Sequence, residues 1–502
     1  MMTETARSTD EISSLAFYAT LLVWSALLLT IAPTLFHIDD LFLGAWGGWT
    51  GLTGESRNPL LARQFPELTD LRLYTSLHME ASGAFYRIFG FNAASVNAYI
   101  TLCMALTTLG LKSAADKSGA SRLAPAIPTL CVAAFVYFGL RPEITACPLF
   151  AWGVSGVLSP DRRVRFLGSL LLTLAPLAAP AMLGVSGAVL FVSAAAGYRE
   201  SRDWRVFTDA AVAVAASAVV LLALIDGQLS TFLKQFFWHA SRGEEELAEL
   251  NLSNVVRAAV AFGALAVIWR QQGSRNAQII LAGIGLGIVV SMFLHMKGPA
   301  RGVVSGLALI IAAGGVIRSA RGQSAAAAAL AGIYLVFCAN WLLFSFIQKP
   351  QPDQQSAVLA FVEKSRAEKK TILVDEVVAK YALDYQVFDM LAWTWSLRFP
   401  EYRPDSFKSL GRNDVWLISR HMALGYRNGV EFLKPYLRTR EVPHRFAPWI
   451  GLCITGRVSC RLPLNAWDYL AFYRSGDGGV RMIDFVAGTE EIAIDAPPPS
   501  GP

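Results

Sequence analysis

Residues 276–317 read NAQIILAGIGLGIVVSMFLHMKGPARGVVSGLALIIAAGGVI. Two apolar, almost charge-free runs, 276–295 and 302–317, meet at the short polar stretch HMKGPAR, 295–301. A helix of roughly 17–25 apolar residues crosses a hydrocarbon core of about 30 Å. The first run has that length and the second falls just short of it. The stretch therefore reads as a membrane hairpin. Arg270 and Arg275 precede it and Arg318 and Arg321 follow it, while His295, Lys297 and Arg301 lie at its tip.

The same pattern recurs along the chain. About eleven spans are expected, near 14–36, 92–111, 123–140, 143–159, 166–181, 182–197, 206–226, 255–269, 276–295, 302–317 and 325–347. The fifth and sixth meet in LAPLAAPAMLG, which reads either as a turn or as a Pro-broken helix. Composition agrees with a polytopic α-helical membrane protein. The 502 residues are 54% hydrophobic and only 16% charged, against roughly a quarter charged in soluble domains, and mean hydropathy is +0.42. The formal charge of +6 then points to membrane topology and not to nucleic acid. The first span is too long, and lacks the cleavage motif, for a secretory leader.

Lys and Arg fall unequally on alternate loops. One set carries Lys112, Lys117, Arg122, then Arg162, Arg163, Arg165, then Arg199, Arg202, Arg205, then Arg270, Arg275, and finally Arg318, Arg321. The other short loops carry little beyond Arg141, Lys297 and Arg301. The first set is expected on the cytoplasmic side. The N-terminus is then cytoplasmic, and loop 37–91, loop 227–254 and everything after 349 are extracytoplasmic. Short loops and Ala/Gly-rich helices suggest a bacterial inner membrane.

The chain divides into a transmembrane domain, 1–349, and a second domain, 350–502. KPQPDQQS is a polar linker, SAVLAFVEKSRAEKK has helical spacing, and TILVDEVVA, DVWLISR and DYLAFYR are β-rich runs. A small extracytoplasmic α/β domain is expected there, with a disordered tail, DAPPPSGP. Cys453 and Cys460 in CITGRVSC either close a disulfide in an oxidising compartment or stay as two thiols of a small core. Cys103, Cys131, Cys147 and Cys338 lie in spans and read as small packing residues. The long loop holds amphipathic segments expected to lie along the membrane surface, ending in YTSLHMEASGAFYRIFG.

Ionisable groups collect on one side. Asp39 and Asp40 follow the first span in FHIDDLF; His78 and Glu80 lie in the long loop; Arg141 and Glu143 sit in LRPEI; His295, Lys297 and Arg301 sit at the hairpin tip. Charge at membrane depth is costly and so marks functional candidates. Each group also has a structural reading: a solvated helix exit for the acids, an internal ion pair in RPE, interface anchors for Lys297 and Arg301, a packed His78. Both sets of readings stay open from sequence. Functionally, cations suit a lipid-linked phosphate, and a carboxylate suits removal of a proton from an acceptor hydroxyl. Asp39 and Asp40 are also a possible divalent-cation site.

HIDDLF, then YTSLHMEASGAFYRIFGFNAASVNAYITL, then HMKGPARGVVSGLALIIA resemble segments of the GT-C superfamily. These membrane glycosyltransferases use polyprenyl-phosphate sugars. The resemblance is to the branch holding protein mannosyltransferases and the bacterial aminoarabinose transferase. It implies inverting transfer of a hexose or pentose from a polyprenyl-phosphate donor to a glycan, lipid or protein acceptor in cell-envelope glycan biosynthesis. No cofactor is required by that resemblance. Asp39 or Asp40 would be the base and Arg141, Lys297 and Arg301 the phosphate ligands. His78, Glu80, Glu143 and His295 would line the substrate pocket, with Trp238 and His239 of loop 227–254 over it. The acidic pair is Asp-Asp where the family often has Asp-Glu. A secondary transporter or flippase, or a polysaccharide polymerase or ligase, are the alternatives.

Overall fold

The structure is a computed structural model. It describes residues 2–31, 50, 54, 76–90, 93–138, 141–233, 247–293, 301–347, 352–370, 372–374, 388–390, 414–419, 469–474, 480–485 and 488–494. The chain forms two compact units, divided between Ala339 and Asn340 for the described residues.

The first unit is helical. Its helices are α1 (Met2–Thr30), α2 (Ser76–Phe89), α3 (Ala93–Lys117), α4 (Ile127–Phe138), α5 (Glu143–Val157), α6 (Arg162–Ala178), α7 (Leu183–Ser201), α8 (Arg205–Leu224), α9 (Leu247–Arg270), α10 (Arg275–Phe293), α11 (Arg301–Val316) and most of α12 (Ala320–Ile347). Among the described residues each apolar run read as a span overlaps one of these helices, and α2 is the additional helix of the long loop. Six described helices are long and apolar enough to cross a membrane, among them Glu11–Thr30, Pro180–Ser201 and Arg205–Leu224.

LAPLAAPAMLG is resolved into two helices. Ala179 is extended, at φ −137° and ψ 106°, and a 3-10 turn covers Pro180–Met182 before α7 begins. Proline disfavours helical backbone in the residue before it and has no N–H to give. At the start of α6 the Asp161 carboxylate accepts from Arg163 N and Val164 N, satisfying two end donors.

Small residues set the helix spacing. A Cβ on Gly156 of α5 would lie 2.6 Å from Gly168 Cα of α6, and one on Gly283 of α10 would lie 2.8 Å from Val189 Cα of α7. One on Gly287 would run into Val185 Cα. Helix association in lipid has no hydrophobic driving force between apolar faces, so close backbone approach over small residues takes its place.

The contacts also fix direction. Gly302 and Gly306 of α11 face Ala134 and Leu130 of α4, so these helices are antiparallel. Asn97 Nδ2 of α3 donates to Leu29 O of α1 over 3.4 Å, while Lys112 Nζ lies 5.7 Å from the Phe17 ring. Loops therefore alternate between two ends of the bundle.

The second unit holds α13 (Pro352–Ala367) and a six-stranded sheet in the order β2-β1-β3-β4-β5-β6. The strands are β1 (Ile372–Val374), β2 (Phe388–Met390), β3 (Val415–Ser419), β4 (Tyr469–Arg474), β5 (Val480–Asp484) and β6 (Gly488–Ile494). β2, β1 and β3 pair in parallel; β3 to β6 pair antiparallel. Val415, Trp416 and Leu417 are all buried, so β3 is covered on both faces. In the same unit α13 buries Val358 and Val362 and sets Phe361 edge-on to Phe485, just after β5, at 5.7 Å. Residues 453, 460 and the tail 495–502 lie outside the described residues, as does any pairing of Cys453 with Cys460. The four cysteines of the spans are buried free thiols.

Candidate functional site

At one end of the helical unit the basic loops interlock. Lys117 Nζ donates to Ser155 O at 2.7 Å, tying the end of α3 to that of α5. Asn276 Nδ2 donates to Lys117 O at 2.8 Å, bringing in the start of α10. Arg275 pairs with Glu200 and donates to Ala196 O, the latter at 2.9 Å, adding the end of α7. Arg162 grips Asp209 by two hydrogen bonds of 2.9 and 2.8 Å, joining the starts of α6 and α8. Arg318 donates to Gln271 O between the loops after α11 and α9. Lys117, Arg275 and Arg318 thus cover carbonyls at or just past helix C-termini, where the helix dipole favours positive charge.

The opposite end carries the candidate site. Helix α2 buries the face formed by His78, Met79, Ser82, Gly83 and Tyr86, which is one helical stripe at i, i+4 and i+8. The imidazole is buried, and its Nδ1 lies 2.7 Å from Thr145 Oγ1 of α5. Tyr99 OH of α3 lies 2.7 Å from the same hydroxyl. Ser82 Oγ donates to His78 O at 2.7 Å, returning its proton to its own helix. Above this chain the rings of Phe85 and Tyr86 stand 5.2 and 5.9 Å from that of Tyr99.

Thr145 is two residues beyond Glu143 in RPEIT. Arg141 Nε lies 3.3 Å from Glu143 Oε2, with the arginine 31% and the glutamate 14% exposed. The internal pair left open by the sequence is thus formed. It engages one of the five guanidinium N–H donors. Arg301 is the first residue of α11, and Gly302 beside it packs on Ala134 near the end of α4, so its backbone stands at this same end.

Of the candidates from sequence, His78, Glu80, Arg141, Glu143 and the backbone of Arg301 are therefore on one end, away from the basic loops. Asp39, Asp40, Trp238, His239, His295 and Lys297 lie outside the described residues. Thr145 and Tyr99 were not legible as site residues. A hydroxyl inside an apolar run carries no charge and no spacing signal, and only the fold puts α2 beside it. Among the described residues no three His, Cys, Asp or Glu side chains gather as a metal site would need.

On the outer face of the bundle, between α1 and α12, is an open, almost wholly apolar cleft of about 540 Å³. Small residues, Ala328, Ala331 and Gly332 of α12 and Ala19 of α1, leave the space, and Trp24 closes its floor by donating to Thr129 Oγ1 at 3.1 Å.

No protein-family profile, no curated protein and no solved structure matches the chain.

Proposed function

We propose that the protein is a GT-C-like glycosyltransferase of eleven membrane spans, moving one sugar from a polyprenyl-phosphate donor to an acceptor at the extracytoplasmic face. The observation that carries this reading is the grouping of His78, Arg141, Glu143 and the start of α11 at the end of the bundle opposite the basic loops. That is the end expected to face away from the cytoplasm under the positive-inside rule. In this reading α13 and the sheet belong to an extracytoplasmic α/β domain.

Asp39 or Asp40 takes the proton of the acceptor hydroxyl, whose oxygen attacks the anomeric carbon with inversion. The bond to the lipid phosphate breaks, and Arg141, Lys297 and Arg301 stabilise the charge left on it. His78, Glu80, Glu143 and His295 line the sugar and acceptor pocket, and Trp238 and His239 cover it. The apolar cleft beside Trp24 has the size and character to shelter part of an isoprenoid chain.

The test is incubation of the purified full chain with labelled polyprenyl-phosphate sugars and envelope acceptors. Transfer is expected from the parent. A general base supplies a factor of about 10²–10⁴ in rate, so the Asp39→Asn, Asp40→Asn double variant should lose at least about a hundredfold while eluting as the parent does. Parental turnover by the double variant would reduce the two acids to a solvated helix exit.

A further inference from the structure

Two long apolar helices, Pro180–Ser201 and Arg205–Leu224, are joined by only three residues, Arg202–Trp204. Such a turn between two spans has to lie at a membrane surface. Its side chains are of two kinds. Tyr198, Trp204 and Phe207 form a three-ring cluster with centroids 4.6, 5.6 and 5.7 Å apart, and Trp204 is 66% exposed. Around them stand Arg199, Arg202 and Arg205, all exposed.

The acids of this turn are already engaged. Glu200 is paired by Arg275, which comes from another helix. Asp203 Oδ1 accepts from the backbone N of Arg205, the first residue of α8, at 2.9 Å. Four cations thus stand against two acids within the turn and its partner. Arg202 sits in the left-handed region at φ 54°, closing α7 through its N–H to Tyr198 O at 2.8 Å. Glycine is the strain-free residue there, yet an arginine occupies it.

We propose that this turn binds the headgroup of an anionic phospholipid, with Arg199, Arg202 and Arg205 on the phosphate and Trp204 among the upper acyl chains. A soluble anion would be served by the arginines alone. The exposed indole at the end of two spans fits the headgroup level of a bilayer, where Trp and Tyr are enriched. Juxtamembrane arginines are attracted to anionic lipid by an amount equivalent to about fivefold in binding for each charge. The inference does not depend on the glycosyltransferase reading.

Native mass spectrometry of the delipidated full chain in detergent, titrated with phosphatidylglycerol or phosphatidylcholine, tests it. Phosphatidylglycerol should bind at least about tenfold tighter, and salt should weaken it. Arg199→Gln, Arg202→Gln, Arg205→Gln together should cost about a hundredfold, Trp204→Ala should weaken both lipids, and Arg321→Gln at the same end of the bundle should change little. Arg202→Gln alone, on an exposed side chain, should still cost about fivefold if the triple variant does not fold. Equal binding of the two lipids, parental affinity in Arg202→Gln, equal loss in Arg321→Gln, or full displacement by millimolar inorganic phosphate would each overturn the proposal.

Discussion

At the residue scale, Thr145 holds the candidate site together. Its single hydroxyl lies 2.7 Å from both His78 Nδ1 and Tyr99 OH, so one oxygen serves two buried groups. Removing that hydroxyl takes a partner from two buried polar groups, and a lost buried hydrogen-bond partner costs about 1–3 kcal/mol. Thr145→Val should therefore destabilise the detergent-purified protein by at least about 1 kcal/mol, and Thr145→Ser should recover most of the loss. Thermal unfolding reads both, and a valine variant as stable as the parent would show that the contacts are not energetically used. The sequence identified His78 because a histidine in a polar, aromatic loop is conspicuous. It could not identify its partner, because ITACPLF around Thr145 is indistinguishable from other apolar runs. The Arg141–Glu143 pair was legible as one of two possibilities, since residues i and i+2 across a Pro-containing turn reach each other without help from the fold.

At the element scale, hydropathy located the helices well, because a span is a long apolar run whatever it packs against. It located ends less well. α1 begins at Met2 though its apolar run starts later, because polar residues continue a helix that has already been nucleated. The break at Ala179 was ambiguous because Pro176 lies inside α6 while Pro180 opens the connecting turn, and proline is tolerated in both places within membrane proteins. Which glycines touch was not legible either. Gly187 and Gly287 look alike in sequence, yet a Cβ on Gly187 meets nothing within 4 Å and one on Gly287 meets the backbone at Val185. Gly287→Ala should destabilise by about 1–3 kcal/mol through overpacking between α7 and α10. Gly187→Ala should be neutral or stabilise by up to about 1 kcal/mol, as expected for a helical glycine with free space. Equal melting temperatures for the two variants would sink the account of close helix approach.

At the scale of the whole molecule, the strongest statement is that charge and connectivity agree. The basic loops meet one another at one end through Lys117, Asn276, Arg275, Arg162 and Arg318, while His78, Thr145 and Asn97 mark the other end. Sequence gave the alternation because Lys and Arg are retained on the cytoplasmic side during insertion; the mixed order of the sheet, with its switch from parallel to antiparallel at β3, has no comparable signal in local pattern. The arrangement makes a sidedness prediction. In a Cys453→Ser, Cys460→Ser background the remaining cysteines are buried, so single introduced thiols can be read cleanly. Ser201 and Ser319 are exposed at the basic end, and Ser230 is exposed beyond the far end of α8. Cysteines at Ser201 and Ser319 should be shielded from an impermeant maleimide in intact cells and label after permeabilisation. Cysteines at Ser230 and at Ser406, in the C-terminal segment, should label in intact cells. The opposite pattern would place the His78 end in the cytoplasm, out of reach of a donor presented on the outer leaflet. Labelling of Ser230 with shielding of Ser406 would mean an even number of crossings between α8 and residue 406 has become odd by the loss of one span, and the eleven-span arrangement would fall.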